Sequence, residues 1–194
     1  MTHKERIIEY FSEIAVRYDL VNHVLSCHCD RLWRRRLVRL AQFEPGMSLM
    51  DLCTGTGDLL VAAHRVCPEC QLTGLDLTQP MLDLADVKLE RHSVKGELIC
   101  GDAVAVPCPD ELYDRVTIGF GLRNIEDPMQ GLVEMHRILK PGGRVLILEF
   151  APAPKGLFGA VYGVYLRHVI PVLGGLITGS RQAYSHLSTS IEGF

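Results

Sequence analysis

Three things that would point elsewhere are missing from this 194-residue chain. Its start, Met1-Thr2-His3-Lys4-Glu5-Arg6, is charged and has no apolar run of the signal-peptide kind, so a cytoplasmic address is expected. Positive charge is not in excess: the formal net charge is −3, which gives no overall attraction to nucleic acid. The 7 cysteines are odd in number and follow no framework spacing, which reads as reduced thiols. The length is enough for a single domain with a sizeable core.

What is present begins with Leu49-Met50-Asp51-Leu52-Cys53-Thr54-Gly55-Thr56-Gly57-Asp58, followed by a second acidic strand end, Leu72-Thr73-Gly74-Leu75-Asp76. An apolar run, a tight glycine turn and a helix-like stretch are how a doubly wound α/β domain opens its ligand crevice. A pyrophosphate site wants a third glycine, and Leu60 stands there instead. Asp51 and Asp58 would also repel a doubly anionic group in a partly dry crevice. S-adenosylmethionine suits the pattern better. Its sulfonium and ammonium match carboxylates, its carboxylate matches a helix start, and its ribose hydroxyls match Asp76. On this reading Asp51, Gly55, Gly57 and Asp76 bind the cofactor, the plain alternative being a tight strand–helix turn without a ligand.

Along the chain, Ile7, Ile8, Phe11, Ile14 and Ala15 recur at helical spacing, and a second helix is expected over 31–41. Strands are expected over 48–52, 71–75, 97–100, 115–119 and 144–150. Helices lie between them, one introduced by Thr78-Gln79-Pro80 and one by Asp127-Pro128, the latter stopped by Lys140-Pro141-Gly142-Gly143. This alternation predicts an α/β fold, Rossmann-like and doubly wound, with a mostly parallel sheet and helices on both faces. The expected layout is an N-terminal helical cap (1–45), an α/β core (46–150) and an apolar lid or C-terminal segment (151–194), in one domain overall. Strand ends then gather along one edge. There Asp102, followed by Ala103, is placed to accept from an adenine amino group or, more plainly, to cap a turn. Arg123 and Asn124 fall where a transferred methyl group would face its acceptor.

Other features keep two readings each. Cys67-Pro68-Glu69-Cys70 has metal-ligand spacing, but its only nearby complement, Cys27-His28-Cys29, is poor zinc spacing, and no metal is expected. Arg31, Arg34, Arg35, Arg36 and Arg39 surround Leu32, Trp33, Leu37 and Leu40, which fits either an anionic membrane surface or a solvated helix face. Nucleic acid is excluded as a partner, because no aromatic platform is interleaved with these basic residues. The stretch 156–179 is apolar, yet Arg167, His168 and Pro171 interrupt it. Two short helices broken at Pro171, forming a lid or packing as core, are expected there.

The chain resembles the ubiquinone/menaquinone biosynthesis C-methyltransferase family, within the class I methyltransferases. The resemblance rests on Arg17-Tyr18-Asp19-Leu20-Val21-Asn22, Ser26, Trp33 and residues 51–58. It continues with Gly119-Phe120-Gly121-Leu122-Arg123-Asn124, with Arg137-Ile138-Leu139-Lys140-Pro141-Gly142-Gly143 and with Ile147-Leu148-Glu149-Phe150. It implies methyl transfer from S-adenosylmethionine to a ring carbon of a polyprenylated quinol precursor, with either a benzoquinol or a naphthoquinol as acceptor. The family's cofactor contacts would fall on Thr56, Asp76, Asp102 and Ala103, with Gly119 near the methionine end. Arg123 and Asn124 would face the quinol. The family pattern often has methionine at Val21, histidine at Asp30 and serine at Ala151.

The chemistry needs a base for the ring hydroxyl and a partner for the developing phenolate. Arg123, permanently charged, suits the phenolate, and Asn124 can hold the hydroxyl or a water. The base is sought near Asp58, Asp19 or His23. Residues Tyr184, Leu187, Ser190 and Ile191 resemble the segment before a final strand–helix–strand section, so the last two strands are expected to be absent. The fifth strand would then be a sheet edge, favouring a homodimer, and the apolar segment would favour peripheral contact with the inner face of a membrane. Two other readings stay open: a methyltransferase for another apolar small molecule, and a non-catalytic cofactor-binding subunit.

Overall fold

The computed structural model describes residues 1–193, with the side chains of Phe158, Arg181 and Glu192 excepted. It divides into two compact units, Met1–Asp30 with the chain from Phe150 onward, and Arg31–Glu149.

The second unit is the α/β core. Helix α1 (His3–Ile14) and helix α2 (Tyr18–Leu25) precede it, and α3 (Cys29–Leu40) leads into it. Then strand and helix alternate: β1 (Ser48–Leu52), α4 (Asp58–Val66), β2 (Gln71–Asp76), α5 (Gln79–Arg91), β3 (Gly96–Cys100), β4 (Tyr113–Gly119), α6 (Pro128–Ile138) and β5 (Leu139–Leu148). The caps form where the sequence signals them. Asp127 accepts from the Gln130 N–H at 3.1 Å, and proline sits in the first turn of α5 and of α6.

The strands are all parallel, in the order β3-β2-β1-β4-β5. Side chains alternate across β1, so Leu49 joins a core with Leu37, Leu59, Leu60 and Leu89, while Met50 and Leu52 join Val116, Ile118, Met135 and Ile138 on the other face. The strand order reverses between β1 and β4, and the crevice outside that reversal is where such sheets hold ligands.

The fifth strand begins earlier than its alternation suggests. Tyr113 pairs with Leu139 and Arg115 with Arg144, so the stretch 140–143 bulges between two registered pairs, with Gly142 at φ +79°. The Lys140-Pro141-Gly142-Gly143 stretch therefore shapes the strand as well as stopping α6.

In the first unit, α1 is held by a capping box between Thr2 and Glu5. The C-terminal segment forms α7 (Leu157–Val164), a π-helical turn (Tyr165–Val169), α8 (Ile170–Thr178) and α9 (Arg181–Gly193). Pro171 does not break the run, contrary to the sequence expectation. It lies in the first turn of α8, just after the π register, where it would have bonded the Leu166 carbonyl had it an N–H. The buried Ser188 hydroxyl donates to that carbonyl instead. The resulting helical run Gly159–Thr178 is long and apolar enough, by length and composition only, to cross a membrane.

Candidate active site

The candidate residues lie at the carboxyl ends of β1 to β4. Asp51, fully buried, accepts from the hydroxyls of Thr54 at 2.7 Å and Thr117 at 2.6 Å, the latter level with it across the β1–β4 ladder. Burial pushes its carboxyl up to about 7, against the two hydroxyls and the Arg34 charge, which hold it down. The turn that follows takes positive φ at Cys53 (52°), Gly55 (55°) and Gly57 (80°). Gly57 is required twice over. It leads into α4 in the left-handed region, and a Cβ there would lie 3.3 Å from the Ala85 Cβ on α5.

Asp76, at the end of β2, accepts from the Gly55 N–H at 2.8 Å and from the Thr78 N–H at 2.9 Å. Burial raises its carboxyl above the usual range, and those N–H groups partly offset the rise. Thr56 is buried and accepts from Lys88 at 2.8 Å; Lys88 also pairs with Asp58 at 2.6 Å. After β3, Asp102 accepts from the Val104 N–H at 3.2 Å, the turn-capping role weighed for it, and Ala103 is buried. Gly119 closes β4 against Leu59 of α4.

The loop after β4 is the most constrained part of the rim. Phe120 has φ +60°, outside the range a phenylalanine normally adopts, and its N–H bonds the Leu148 carbonyl at 2.7 Å. Gly121 is needed for close approach, since a Cβ would come within 2.5 Å of the Cys53 Cβ. The short turn Leu122–Asn124 then presents Arg123, which donates to the Phe120 carbonyl at 2.7 Å and forms a buried ion pair with Glu149. The Asn124 amide reaches the same carbonyl at 3.5 Å.

Charge in the crevice is mostly negative. Burial, then the charges of Asp76, Asp51, Asp102 and Glu149, push the Cys53 thiol well up. Acidic side chains in this number suit a cation carrying hydroxyls better than a polyphosphate.

The ubiE/COQ5 methyltransferase family matches residues 1–194. The chain belongs to that family. It is 47% identical over 184 residues to a demethylmenaquinone methyltransferase of Thermus thermophilus, covering 95% of this chain and 84% of that one. It is 42% identical over 193 residues to the ubiquinone/menaquinone biosynthesis C-methyltransferase UbiE of Geobacter sulfurreducens, covering 98% and 75%. A solved S-adenosylmethionine-dependent methyltransferase of Aquifex aeolicus shares the fold, with a TM-score of 0.58, 22% identity and coverage of 77% and 78%.

The chain is thus a methyltransferase, and S-adenosylmethionine is its cofactor. The donor set fits it: carboxylates for its cationic centres, the Asp76 carboxylate between two loop N–H groups for its ribose, and the start of α4 for its carboxylate. The sequence reading did not single out Lys88 or Thr117, nor a role for Glu149 and Arg34. Arg34 had a visible signal. It falls three and four residues before the buried Leu37 and Val38, on the apolar face of α3. Of the three base candidates, Asp58 is committed to Lys88 and Arg34, and His23 bonds Asp30 at 2.7 Å within the other unit. The Cys67 and Cys70 side chains are buried in the core beside α4, and among the described residues no group of three or more His, Cys, Asp or Glu side chains is arranged for a metal ion.

Proposed function

We propose that this chain methylates a ring carbon of a polyprenylated quinol precursor in quinone biosynthesis, with a demethylnaphthoquinol as the first acceptor to test. The family match over the whole chain carries the reading, and the name of the Thermus relative supports that acceptor. S-adenosylmethionine, when bound, supplies an electrophilic methyl group on sulfur. The protein's part is to hold the acceptor carbon in line with it and to stabilise the phenolate that makes the carbon nucleophilic.

In this proposal Asp51, Gly55, Thr56, Gly57, Asp76, Asp102, Ala103 and Gly119 form the cofactor side. Arg123 supplies the positive charge near the phenolate, and Asn124 orients the hydroxyl. The Glu149 pair supports the Arg123 role by fixing the guanidinium at the rim without long side-chain freedom.

A polyprenylated acceptor resides in a membrane, so the proposal extends to a cytoplasmic protein working at the inner face of a bilayer. Exposed Leu157, Val161, Val164, Val172 and Leu176 on α7 and α8 support such contact, as do the exposed Arg31, Arg35, Arg36 and Arg39 on α3. A homodimer is proposed from β5, which pairs only with β4 among the described residues.

The test is transfer of labelled methyl from S-adenosylmethionine to reduced demethylmenaquinone and to a reduced demethylated benzoquinone, each with and without its isoprenoid tail. Methylation of the tailed naphthoquinol supports the proposal. Methylation of tailless or unrelated phenols alone, or of no quinol, would overturn it.

A further inference from the structure

Helix α3 carries charge of one sign. Residues 31–41 include five arginines and no acidic residue, in a chain whose 23 Asp and Glu outnumber its 20 Lys and Arg. Arg34, Leu37 and Val38 are buried, the last two in the core with Leu49, Leu59 and Leu60. On the opposite side Arg31, Arg35 and Arg39 form one row along the helix, and Leu32, Arg36 and Leu40 form the next. All six are exposed, Leu32 at 61% and Leu40 at 57%. Trp33, the single tryptophan of the chain, borders the second row and is 38% exposed. Among the described residues, no acidic side chain pairs with Arg31, Arg35, Arg36 or Arg39. Exposed Arg144 extends the patch past the end of α3, donating to the Leu40 carbonyl at 3.5 Å and to the Gln42 side-chain oxygen at 2.7 Å.

A helix face that meets only water gains from mixed signs, because acids and bases four residues apart attract. Here the neighbours four apart, Arg31 with Arg35 and Arg35 with Arg39, repel. Leucines stand among them where acids would settle the charge. An anionic surface relieves the repulsion, and an apolar layer beneath that surface takes the leucines. A nucleic-acid backbone answers the first need and leaves Leu32 and Leu40 in water. A bilayer with anionic headgroups answers both. Guanidinium groups lie at the level of the phosphates, their long stems reach up from an apolar helix surface, and an indole settles at the interface.

We propose that the outward face of α3 is a docking surface for anionic phospholipid. Arg31, Arg35, Arg36 and Arg39 meet the headgroup phosphates, and Leu32 and Leu40 enter the boundary with the acyl chains. This rests on the reading of the chain as an enzyme working at a bilayer and narrows it to a negatively charged bilayer, selected by this helix.

Trp33 makes the experiment direct, because it reports from α3 itself. The full chain is titrated with vesicles of phosphatidylcholine and of phosphatidylcholine mixed with phosphatidylglycerol, followed by tryptophan emission. The mixed vesicles are then remade with brominated acyl chains. Preference for the mixed vesicles, weakening by salt and quenching of Trp33 by bromine are expected. Each arginine at an anionic surface strengthens binding about fivefold, so the triple variant Arg35→Gln, Arg36→Gln and Arg39→Gln should bind mixed vesicles about 100-fold more weakly. The same three positions changed to lysine should stay within about threefold of the unchanged protein. Circular dichroism and S-adenosylmethionine affinity should hold within about twofold in both triple variants, as for exposed substitutions away from a site.

Equal binding of mixed vesicles by the glutamine variant and the unchanged protein would overturn the α3 surface while leaving the bilayer reading to other elements. Vesicle binding without quenching of Trp33 would do the same. Tighter binding of a duplex oligonucleotide than of mixed vesicles, lost in the glutamine variant, would make this a nucleic-acid face instead. No binding of either vesicle by the unchanged protein would sink the bilayer reading itself, and the α3 surface with it.

Discussion

The two edges of the sheet are built from the same kinds of side chain and treat them in opposite ways. At the amino-terminal edge, Asp114 accepts from the Ser48 N–H at 2.9 Å, the Ser48 hydroxyl at 2.8 Å and Lys140 at 2.7 Å. Those bonds overcome the opposing effect of burial and hold its carboxyl down to about 2. Nearby, Arg137 joins Glu134, Asp110 and the carbonyls of Val106 and Cys108, each at 2.8–2.9 Å. At the carboxyl-terminal edge, Asp51 and Asp76 are buried with carboxyls raised, Cys53 and Phe120 take positive φ, and Arg123 and Glu149 are sealed together. One edge lowers the free energy of the fold. The other keeps raised carboxyls and residues at positive φ, the pattern expected where binding is built in.

The sharpest way to break this contrast is Asp76→Ala. Two ribose hydroxyls bonding a buried carboxylate are together worth about 3–6 kcal/mol, so affinity for S-adenosylmethionine should fall at least a hundredfold. The protein should remain folded by circular dichroism, and added cofactor should no longer raise its melting temperature. Binding within tenfold of the unchanged protein would mean that this carboxyl-terminal edge is not the cofactor edge.

Next in size is the Arg123–Glu149 pair. Arg123→Ala leaves the Glu149 carboxylate buried without its cation, which should cost about 3–5 kcal/mol in urea unfolding. Loss of activity in that variant alone would say little about chemistry. The pair Arg123→Gln with Glu149→Gln removes both charges and keeps the shape. It should retain most of the stability and bind S-adenosylmethionine within about threefold, yet lose turnover by roughly a hundredfold, as for removal of an electrostatic stabiliser. Equal losses of cofactor affinity and kcat would place Arg123 among the binding groups instead.

A third measurement uses pH. The Asp51 carboxyl is raised to about 7 in the fold from an ordinary 3.8, so the folded state holds its proton over a range where the unfolded chain has lost it. Its contribution is therefore fully present below about pH 4 and is lost as pH rises towards 7, a change of a few kcal/mol. Asp51→Asn, which can still bond the two threonines, should flatten that part of the stability profile. An unchanged slope between pH 4 and 7 would show that the raised carboxyl does not govern it.

The edges also differed in how much of them could be read from residues alone. Strand β1 was read to the residue, because a fully buried parallel strand is a short apolar run bounded by a polar start and a glycine turn. The Gly-x-Gly turn and the bonds of Asp76 to the Thr78 N–H and of Asp102 to the Val104 N–H are local, two positions apart, whereas the bond from the Gly55 N–H to Asp76 spans 21 positions and was not encoded by any local pattern. Glu149 as the partner of Arg123, and Lys88 as the partner of Thr56, were not. Those contacts join residues 26 and 32 positions apart, and no local pattern encodes which carboxylate meets which cation. The π turn before Pro171 was missed because proline ordinarily stops a helix, and the Ser188 hydroxyl that satisfies the orphaned carbonyl comes from α9. The resemblance to the ubiE/COQ5 family was carried chiefly by the loop after β4, whose tight geometry at Phe120 and Gly121 leaves few residue choices, together with Tyr18, Asp19, Asn22, Ser26 and Trp33.

The smallest effect belongs to the opposite edge and completes the contrast. Asp114→Asn should cost about 1 kcal/mol of stability near neutral pH, because a partly exposed carboxylate loses its charge-assisted bond to Lys140 while Ser48 keeps an acceptor. The sign of its pH dependence is the reverse of that for Asp51. A carboxyl held down to about 2 stabilises the fold above about pH 4, and that contribution fades as pH falls through 2. The variant should therefore lose the acid limb of the stability curve and leave the 4–7 range untouched. Its affinity for S-adenosylmethionine should match that of the unchanged protein, since Asp114 and the crevice occupy opposite ends of β4. A weakened cofactor affinity in Asp114→Asn would mean that the two edges are coupled through β4. The division between a stabilising edge and a binding edge would then be one of position only, with no separation of energy.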